Sequence, residues 1–446
     1  MAKQNTTSQK IVLLSLCNVM WGLIPLPASK LFANYSTFLI IFARFLMMTI
    51  FTMGFTLIFI LYQQMHLKKK NKQSIKIKEI VSYLASKNVE FFNFPQWLYL
   101  LFLAVFGMNL MTILFFWGLK SVGVIITSIG VIFSLVVVTA VNWGRGKEEM
   151  SPFKALYLIT LIGATVILGI ISQNQQSGEN QQFSWNTIGI IIAYGLTLSF
   201  FVISSSKDKM SSKEFTLLRI NKNYRLIRTF LKLGILSFFA SLTFIPLQLI
   251  FGILPLGNEI SGEISRFFSE VHLWWTISWT GNGIILILIC TIAPYFLYYF
   301  LAANWPKHTS FDLWVGVLQL IEPIINLILG VTILEENFPI SWLVVIIFLM
   351  GIAIVTRYLS ETEAQIFALF LLKTKPNQNK EAMTIAYSFK AVRQVFSLIG
   401  NYDLMLDVQL HSSQALNKFI QQTILSLPGL IEYDMLIITN TEMDRS

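Results

Sequence analysis

The sequence predicts an α-helical integral membrane protein with ten transmembrane helices in two inverted five-helix repeats, followed by a C-terminal α/β domain of the ferredoxin-like βαββαβ plan. Three observations carry this. First, 55% of the 446 residues are hydrophobic and 13% charged, with a mean hydropathy of +0.65; soluble domains average about 25% charged residues. Second, apolar runs of about 20 residues, enough to cross a bilayer, recur from Ile11 to Val355. Third, such runs stop after Arg357, and acidic residues appear instead.

Taken in order, residues 1–10 form a short N-terminal segment and the spans fall at 11–32, 38–62, 97–119, 122–142, 154–172, 187–205, 232–253, 281–303, 311–333 and 340–358. The first is too long for a signal-peptide core of about 7–15 residues. Basic residues orient the set. Segment 63–96 carries seven Lys, and 206–232 carries eight Lys or Arg, including Arg225, Arg228 and Lys232. The alternate connections are nearly bare, so the positive-inside rule puts both termini in the cytoplasm of a multi-pass plasma-membrane protein. The +10 net charge is therefore a topology signal, and nucleic acid is not an expected partner. The 254–280 connection, with Glu259, Glu263 and Glu270 beside Trp274, Trp275 and Trp279, reads as an interfacial helix. Trp117 reads as part of an aromatic belt.

The two halves, 11–172 and 187–358, share a pattern. Gly130, then Lys147-Glu148-Glu149-Met150-Ser151-Pro152, then Gly163 is repeated as Gly316, then Leu334-Glu335-Glu336-Asn337-Phe338-Pro339, then Gly351. Five spans per half is odd, so the halves lie upside down to one another, a recurring build of secondary transporters.

Polar groups inside the spans are the candidate pathway residues, since a charge at mid-bilayer costs about 2.5–3.5 kcal/mol even on insertion scales. Glu322 lies near mid-depth, and Pro323 beside it weakens the helix. It reads either as a proton- or substrate-linked carboxylate or as a kink residue. Arg44 lies about 9–10 Å inside its span; it either grips an anionic group or snorkels. Lys30 snorkels more easily. Trp21-Gly22 is at mid-depth, while Asn18 and Asn109 either line a cavity or join helices. Cys17 and Cys290 both lie in apolar runs, and His66, His272, His308 and His411 are scattered, so no disulfide framework, metal site or cofactor is expected. No phosphate-binding G-x-x-x-x-G-K-[ST] stretch and no catalytic constellation occur, so neither ATP hydrolysis nor enzymatic activity is expected.

The tail reads as one small soluble domain at 364–441. Strands at Ile366–Leu372, Val392–Leu398, Leu404–Leu410 and Ile431–Ile438 enclose helices at Asn377–Phe389 and from Ser413 onward. The turn Gly400-Asn401-Tyr402-Asp403 joins the central hairpin. Its N–H groups suit a ligand carboxylate and Asp403 an ammonium; alternatively these residues only make the hairpin.

Asn18, Trp21-Gly22, Lys30 and Arg44-Phe45, with Lys147-Glu148-Glu149, Glu322-Pro323, Gly330 and Leu334-Glu335-Glu336, resemble the EamA family of the drug/metabolite transporter superfamily over residues 11–358. The 63–96 and 206–231 connections are longer than that family usually carries. The tail, through Gly400-Asn401-Tyr402-Asp403-Leu404, Leu416, Phe419-Ile420 and Leu427-Pro428-Gly429, resembles the effector-binding domain of Lrp/AsnC regulators over 364–441, without a preceding helix-turn-helix. The first resemblance implies ATP-independent export or exchange of a small polar metabolite, with amino acids the foremost candidates. The second implies a homodimer through the tail and an amino-acid effector bound between subunits at Gly400, Tyr402 and Asp403. Two other expectations stay open: a membrane receptor that no longer transports, and a transporter of another substrate class whose tail only dimerises it.

Overall fold

The computed structural model describes residues 2–69, 82–88, 93–145, 150–176, 185–205, 214, 224–253, 258–305, 311–362, 366–389, 391–410 and 413–438. The Glu148-Glu149 copy of the acidic turn lies outside them. Among the described residues, ten helices are long and apolar enough to cross a membrane: Gln9–Phe32, Thr37–Tyr62, Gln96–Ser121, Val124–Gly144, Pro152–Ile171, Ile188–Ser205, Tyr224–Ile253, Gly281–Asn304, Trp314–Thr332 and Ile340–Ser360. We number them one to ten.

Nine of the ten starts agree with the sequence reading to within three residues, and the exception is physical. Helix seven begins at Tyr224, eight residues before the expected 232. Its first turns carry cations that sequence alone assigns to a loop. Arg228 pairs with Glu214 at 2.7 Å, and Lys232 lies 4.3 Å over the Tyr299 ring. Partners inside the fold, not solvent, take up those charges.

The packing follows one rule. Helix two packs on seven, four on nine, and five on ten. One packs on eight as six packs on three, and four packs on six as nine packs on one. Adding five to every helix number returns these same pairs, while the lesser contacts of helix three with helices one and four lack such a counterpart. Helices three and eight also share a local distortion: each carries an eight-residue π-helical stretch, Leu103–Leu110 and Ile285–Ile292. Such stretches collect at functional sites.

Helix one breaks after Gly22, where Pro25 and Pro27 start a second piece, and helix nine breaks at Gln319–Leu320. Pro323 offers no N–H to the Gln319 carbonyl, which takes the Glu322 N–H instead at 3.2 Å. The two broken helices touch. A Cβ on Gly22 would stand 2.9 Å from Ile325 Cβ and 3.3 Å from the Glu322 carbonyl oxygen, so only glycine fits this crossing.

The connection after helix seven forms the expected helix, Asn258–Glu270, but its acids serve as caps. Glu263 accepts the Thr37 N–H at 2.8 Å and the Lys120 ammonium at 2.6 Å, and Glu270 accepts the Ser36 N–H at 2.8 Å. Arg266 donates to Glu270 and to the Asn34 carbonyl. Carboxylates thus satisfy the open N–H groups at the start of helix two, where the helix dipole also favours them. Glu336 does the same for helix four, accepting Val124 N–H at 2.5 Å and Ile125 N–H at 3.0 Å. Trp117, at the end of helix three, stacks its ring on Phe38 at 6.4 Å.

In the tail, β1 (Ile366–Thr374), α1 (Asn379–Ser388), β2 (Val392–Ser397), β3 (Leu404–Leu410), α2 (Ser413–Phe419, extended as a π turn to Ile424) and β4 (Leu430–Ile438) give βαββαβ. The sheet is antiparallel in the order β2-β3-β1-β4, with Ile366 opposite Leu410 and Phe367 opposite Ile438. Alternation along β1 and β3 sends Ala368, Phe370, Leu372, Leu404, Leu406 and Val408 to one face, where Ala382, Ala386, Leu416, Phe419 and Ile424 cover them. This four-stranded, two-helix layout is consistent with the ferredoxin-like plan.

Candidate functional site

At the level of the two helix breaks lies a narrow cavity of about 40 Å³. Helices one, two, three, six, eight and nine wall it. Helix one supplies Trp21, helix two Arg44, helix eight Tyr295 and Tyr298, helix six Tyr194 and Phe201, and helix nine Glu322. The Trp21 ring stands 5.6 Å from Tyr295, 5.5 Å from Tyr298 and 6.4 Å from Phe201. Their faces and edges make an aromatic box on one side of the space.

One basic and one acidic side chain face this space. Arg44 is 2% exposed; its Nε donates to Thr291 Oγ1, and its guanidinium lies 5.3 Å from the Phe116 ring. Thr291 owes its orientation to the π stretch: its hydroxyl donates to the Leu286 carbonyl five residues back, at 2.7 Å, which leaves lone-pair density for Arg44. Glu322 is 5% exposed. No ion pair joins it to Arg44 or to any other described residue. A buried cation and a buried carboxylate on separate helices, neither neutralised by the other, leave open a cation-binding and an anion-binding position in one box.

The structure sorts the sequence candidates. Trp21, Arg44 and Glu322 come together on the cavity wall. Asn18 is buried one turn before Gly22, with its Nδ2 on the Leu14 carbonyl at 2.8 Å. Asn109, in the π stretch of helix three, donates to the Ala240 carbonyl and to Thr243 on helix seven at 2.8 and 3.0 Å. Lys30 is exposed at the end of helix one. None of these three lines the cavity. The residues that sequence reasoning missed are Tyr194, Phe201, Tyr295 and Tyr298; the doublet Tyr298-Tyr299 after Pro294 was their one visible trace.

In the tail, Gly400 takes φ +148°, a backbone shape that suits glycine. Tyr402 donates its hydroxyl to Asp434, a contact that raises the phenol above its ordinary range. Asp403 accepts the Thr374 N–H at 2.8 Å, and its own N–H donates to the Leu372 carbonyl at 2.9 Å. The turn is thereby tied to the end of β1, while Ile399 beside it is fully exposed.

Residues 368–446 match the family model of the Lrp/AsnC ligand binding domain. The tail is therefore a ligand-binding module of that class, carried on a bundle of ten apolar helices. No curated protein matches the chain. One solved structure, described simply as a crystal structure of protein, superposes with a TM-score of 0.48 at 14% identity, over 80% of this chain and 99% of its own.

Proposed function

We propose that the protein is a secondary transporter, exporting or exchanging an amino acid or a close relative, with a cytoplasmic tail that senses amino acid. The observation that carries this reading is the cavity holding Arg44 and Glu322 without pairing them. A zwitterion matches both in charge: in a state with the narrow cavity opened wider, its carboxylate meets the Arg44 guanidinium, its ammonium meets Glu322, and its side chain lies against Trp21 and Tyr295. Paired and hydrogen-bonded, the two buried charges no longer carry the penalty each has alone.

Several features support the rest of the reading. The ten apolar helices suit a multi-pass membrane protein, and the basic 63–96 and 206–232 segments support a cytoplasmic position for both termini. The neighbour set that survives adding five, together with the matched π stretches in helices three and eight, supports two inverted repeats and the EamA resemblance. A site at the crossing of broken helices is where such transporters hold substrate. The match at 368–446 supports an amino-acid effector and a dimer through the tail. Neither nucleotide hydrolysis nor other enzymatic chemistry enters the proposal.

Counterflow in proteoliposomes tests it, with an unlabelled mixture of the twenty amino acids inside and a trace of the same mixture, uniformly ¹⁴C-labelled, outside. Uptake of label that Arg44→Met abolishes supports the reading; no label movement by the intact protein leaves a receptor. If label moves, a chain ending at Ser360 should still move it but lose any dependence on amino acid at the tail side. An unchanged response in the shortened chain removes the sensing role.

A further inference from the structure

A second space lies away from the central cavity, on the outer surface of helices three and six. It measures about 520 Å³, with Phe94, Phe102 and Phe106 on one side and Leu196, Thr197 and Phe200 on the other. Phe102, Phe106 and Leu196 are exposed, so the space is a groove open to the surroundings of the bundle. Phe94, Phe102 and Phe106 stack as a ladder, with successive ring centroids 6.1 Å apart and planes 12° apart. Phe106 meets Phe200 edge-on at 6.2 Å and closes the deep end. Tyr99, also on the wall, donates its hydroxyl to the Ser204 carbonyl, and Thr197 donates to the Ala193 carbonyl at 3.0 Å. Both wall hydroxyls are thus engaged inside the protein, and the surface left to an occupant is hydrocarbon.

The dimensions match one membrane leaflet. Phe102 and Phe106 stand six and ten residues into helix three, about 9 and 15 Å along it. Half of a bilayer's hydrocarbon core is about 15 Å. The groove therefore runs from the membrane surface to its middle, the reach of one acyl chain. Its 520 Å³ also falls within the range of about 300–1,000 Å³ common to built ligand sites. The ladder does not follow the internal repeat. With the two π-helical stretches aligned, helix eight has Ile284 and Leu288 in place of Phe102 and Phe106. What sets this groove apart is the charge at its mouth. The short hairpin of Lys87–Asn88 with Phe94–Pro95 sets Lys87 opposite Pro95, and the Gln96 N–H on the Ser86 carbonyl at 2.8 Å ties it to the first turn of helix three. Lys87 is exposed and belongs to the 63–96 segment with its seven Lys. A cation at the surface end of a hydrocarbon groove complements an anionic headgroup.

We propose that this groove is a binding site for one anionic phospholipid, its acyl chain against the ladder of Phe94, Phe102 and Phe106 and its phosphate at Lys87. The site rests on the multi-pass membrane reading and is independent of what the central cavity carries. Phe106 stands within the π-helical stretch Leu103–Leu110, so an occupied groove supports the distorted part of helix three.

The test uses the full chain, purified in detergent and stripped of lipid, with phosphatidylglycerol and phosphatidylcholine of identical acyl chains. Native mass spectrometry should show one phosphatidylglycerol molecule per chain that outlasts all others as the collision energy rises. Thr197→Trp, which fills the groove with an indole, should lose that molecule without lowering the melting temperature of the stripped protein. Lys87→Gln should keep it but lower the preference over phosphatidylcholine by about fivefold, the effect of one lysine at an anionic surface. Equal retention of the two lipids by the intact protein, or retention unaltered by Thr197→Trp, overturns the site. A lipid-free dimer that Thr197→Trp breaks makes a second copy the occupant and overturns it as well. Should Thr197→Trp fail to fold, phosphatidylglycerol with a photoactivatable acyl chain decides the matter on the intact protein. Label concentrated on residues 94–106 and 196–200 supports the site, and label spread evenly over the ten helices overturns it. A chain that stays in solution without detergent would overturn the membrane reading, and the site with it.

Discussion

The bundle treats its buried carboxylates in two ways, according to region. At the end covered by the Asn258–Glu270 helix, Glu263 receives a backbone N–H, an ammonium and the neighbouring guanidinium of Arg266, within 2.6 to 3.9 Å. At the centre, Glu322 receives none of these from the described residues, and the buried amides of Gln319 and Asn326, three residues before and four after it on the same helix, also carry polar atoms without partners. A carboxylate with every lone pair engaged holds helices together. One left open at a helix break, opposite an unpaired arginine, is kept for something that comes and goes. Burial does not distinguish the two regions; hydrogen-bond satisfaction does.

The largest expected effect falls on the open region. Arg44→Met removes the guanidinium that the described residues place on the cavity wall, and a charge-assisted contact worth about 1.5–3 kcal/mol implies a loss of counterflow of roughly tenfold to a hundredfold. Arg44→Lys should restore only part of it, since a point charge lacks the planar fork. If Arg44→Met transports normally, the arginine belongs with the satisfied groups and the contrast collapses.

Next in size is the helix crossing that holds the open region together. Gly22→Val sets methyl groups where Ile325 and the Glu322 carbonyl already stand, and overpacking of this kind costs about 1–3 kcal/mol. The expected readout is a lower melting temperature in detergent together with reduced counterflow. An unchanged melting temperature would mean that the crossing is loose.

The satisfied region gives a smaller effect with a pH signature. Burial alone would raise the Glu263 carboxyl, but Lys120, the Thr37 N–H and Arg266 outweigh it and hold the group below the ordinary carboxylate range. A carboxyl depressed by folding adds stability that is complete above its unfolded value of about 4.3 and is lost as pH falls through the depressed one. Glu263→Gln should therefore melt lower than the intact protein near neutral pH, by about 1.5 kcal/mol. The two melting curves should converge in acid. Parallel curves at every pH would remove the charged clamp.

The legibility of the sequence follows the same division. Glu322 and Arg44 stood out because a charge in an apolar run is costly whatever surrounds it. The ten helices stood out because their length is set by the bilayer. The early start of helix seven was hidden, since Arg225, Arg228 and Lys232 look like loop charges until Glu214, Asn304 and Tyr299 are found beside them. The aromatic box was hidden for the opposite reason: in a chain with 37 Phe and 14 Tyr, the few that face inward share composition and period with those that face out. Asn326 passed unnoticed because only tertiary packing shows an amide without partners. The tail was legible to within two residues at most boundaries, because alternation and turn chemistry are local.

The smallest effect tests whether the tail turn resembles the clamp or the cavity. Asp403 spends its carboxylate on the Thr374 N–H inside the domain, so it resembles Glu263 more than Glu322. Asp403→Asn keeps the shape and one acceptor oxygen but removes the charge. The expected cost is about 1 kcal/mol, read as a small drop in the melting temperature of the full chain. Any shift that the amino-acid mixture produces in that temperature should then survive the substitution, since the carboxylate is already engaged. Loss of the ligand shift without loss of stability would reverse the assignment: Asp403 would leave Thr374 when ligand arrives, and the turn would join the cavity as a site kept open.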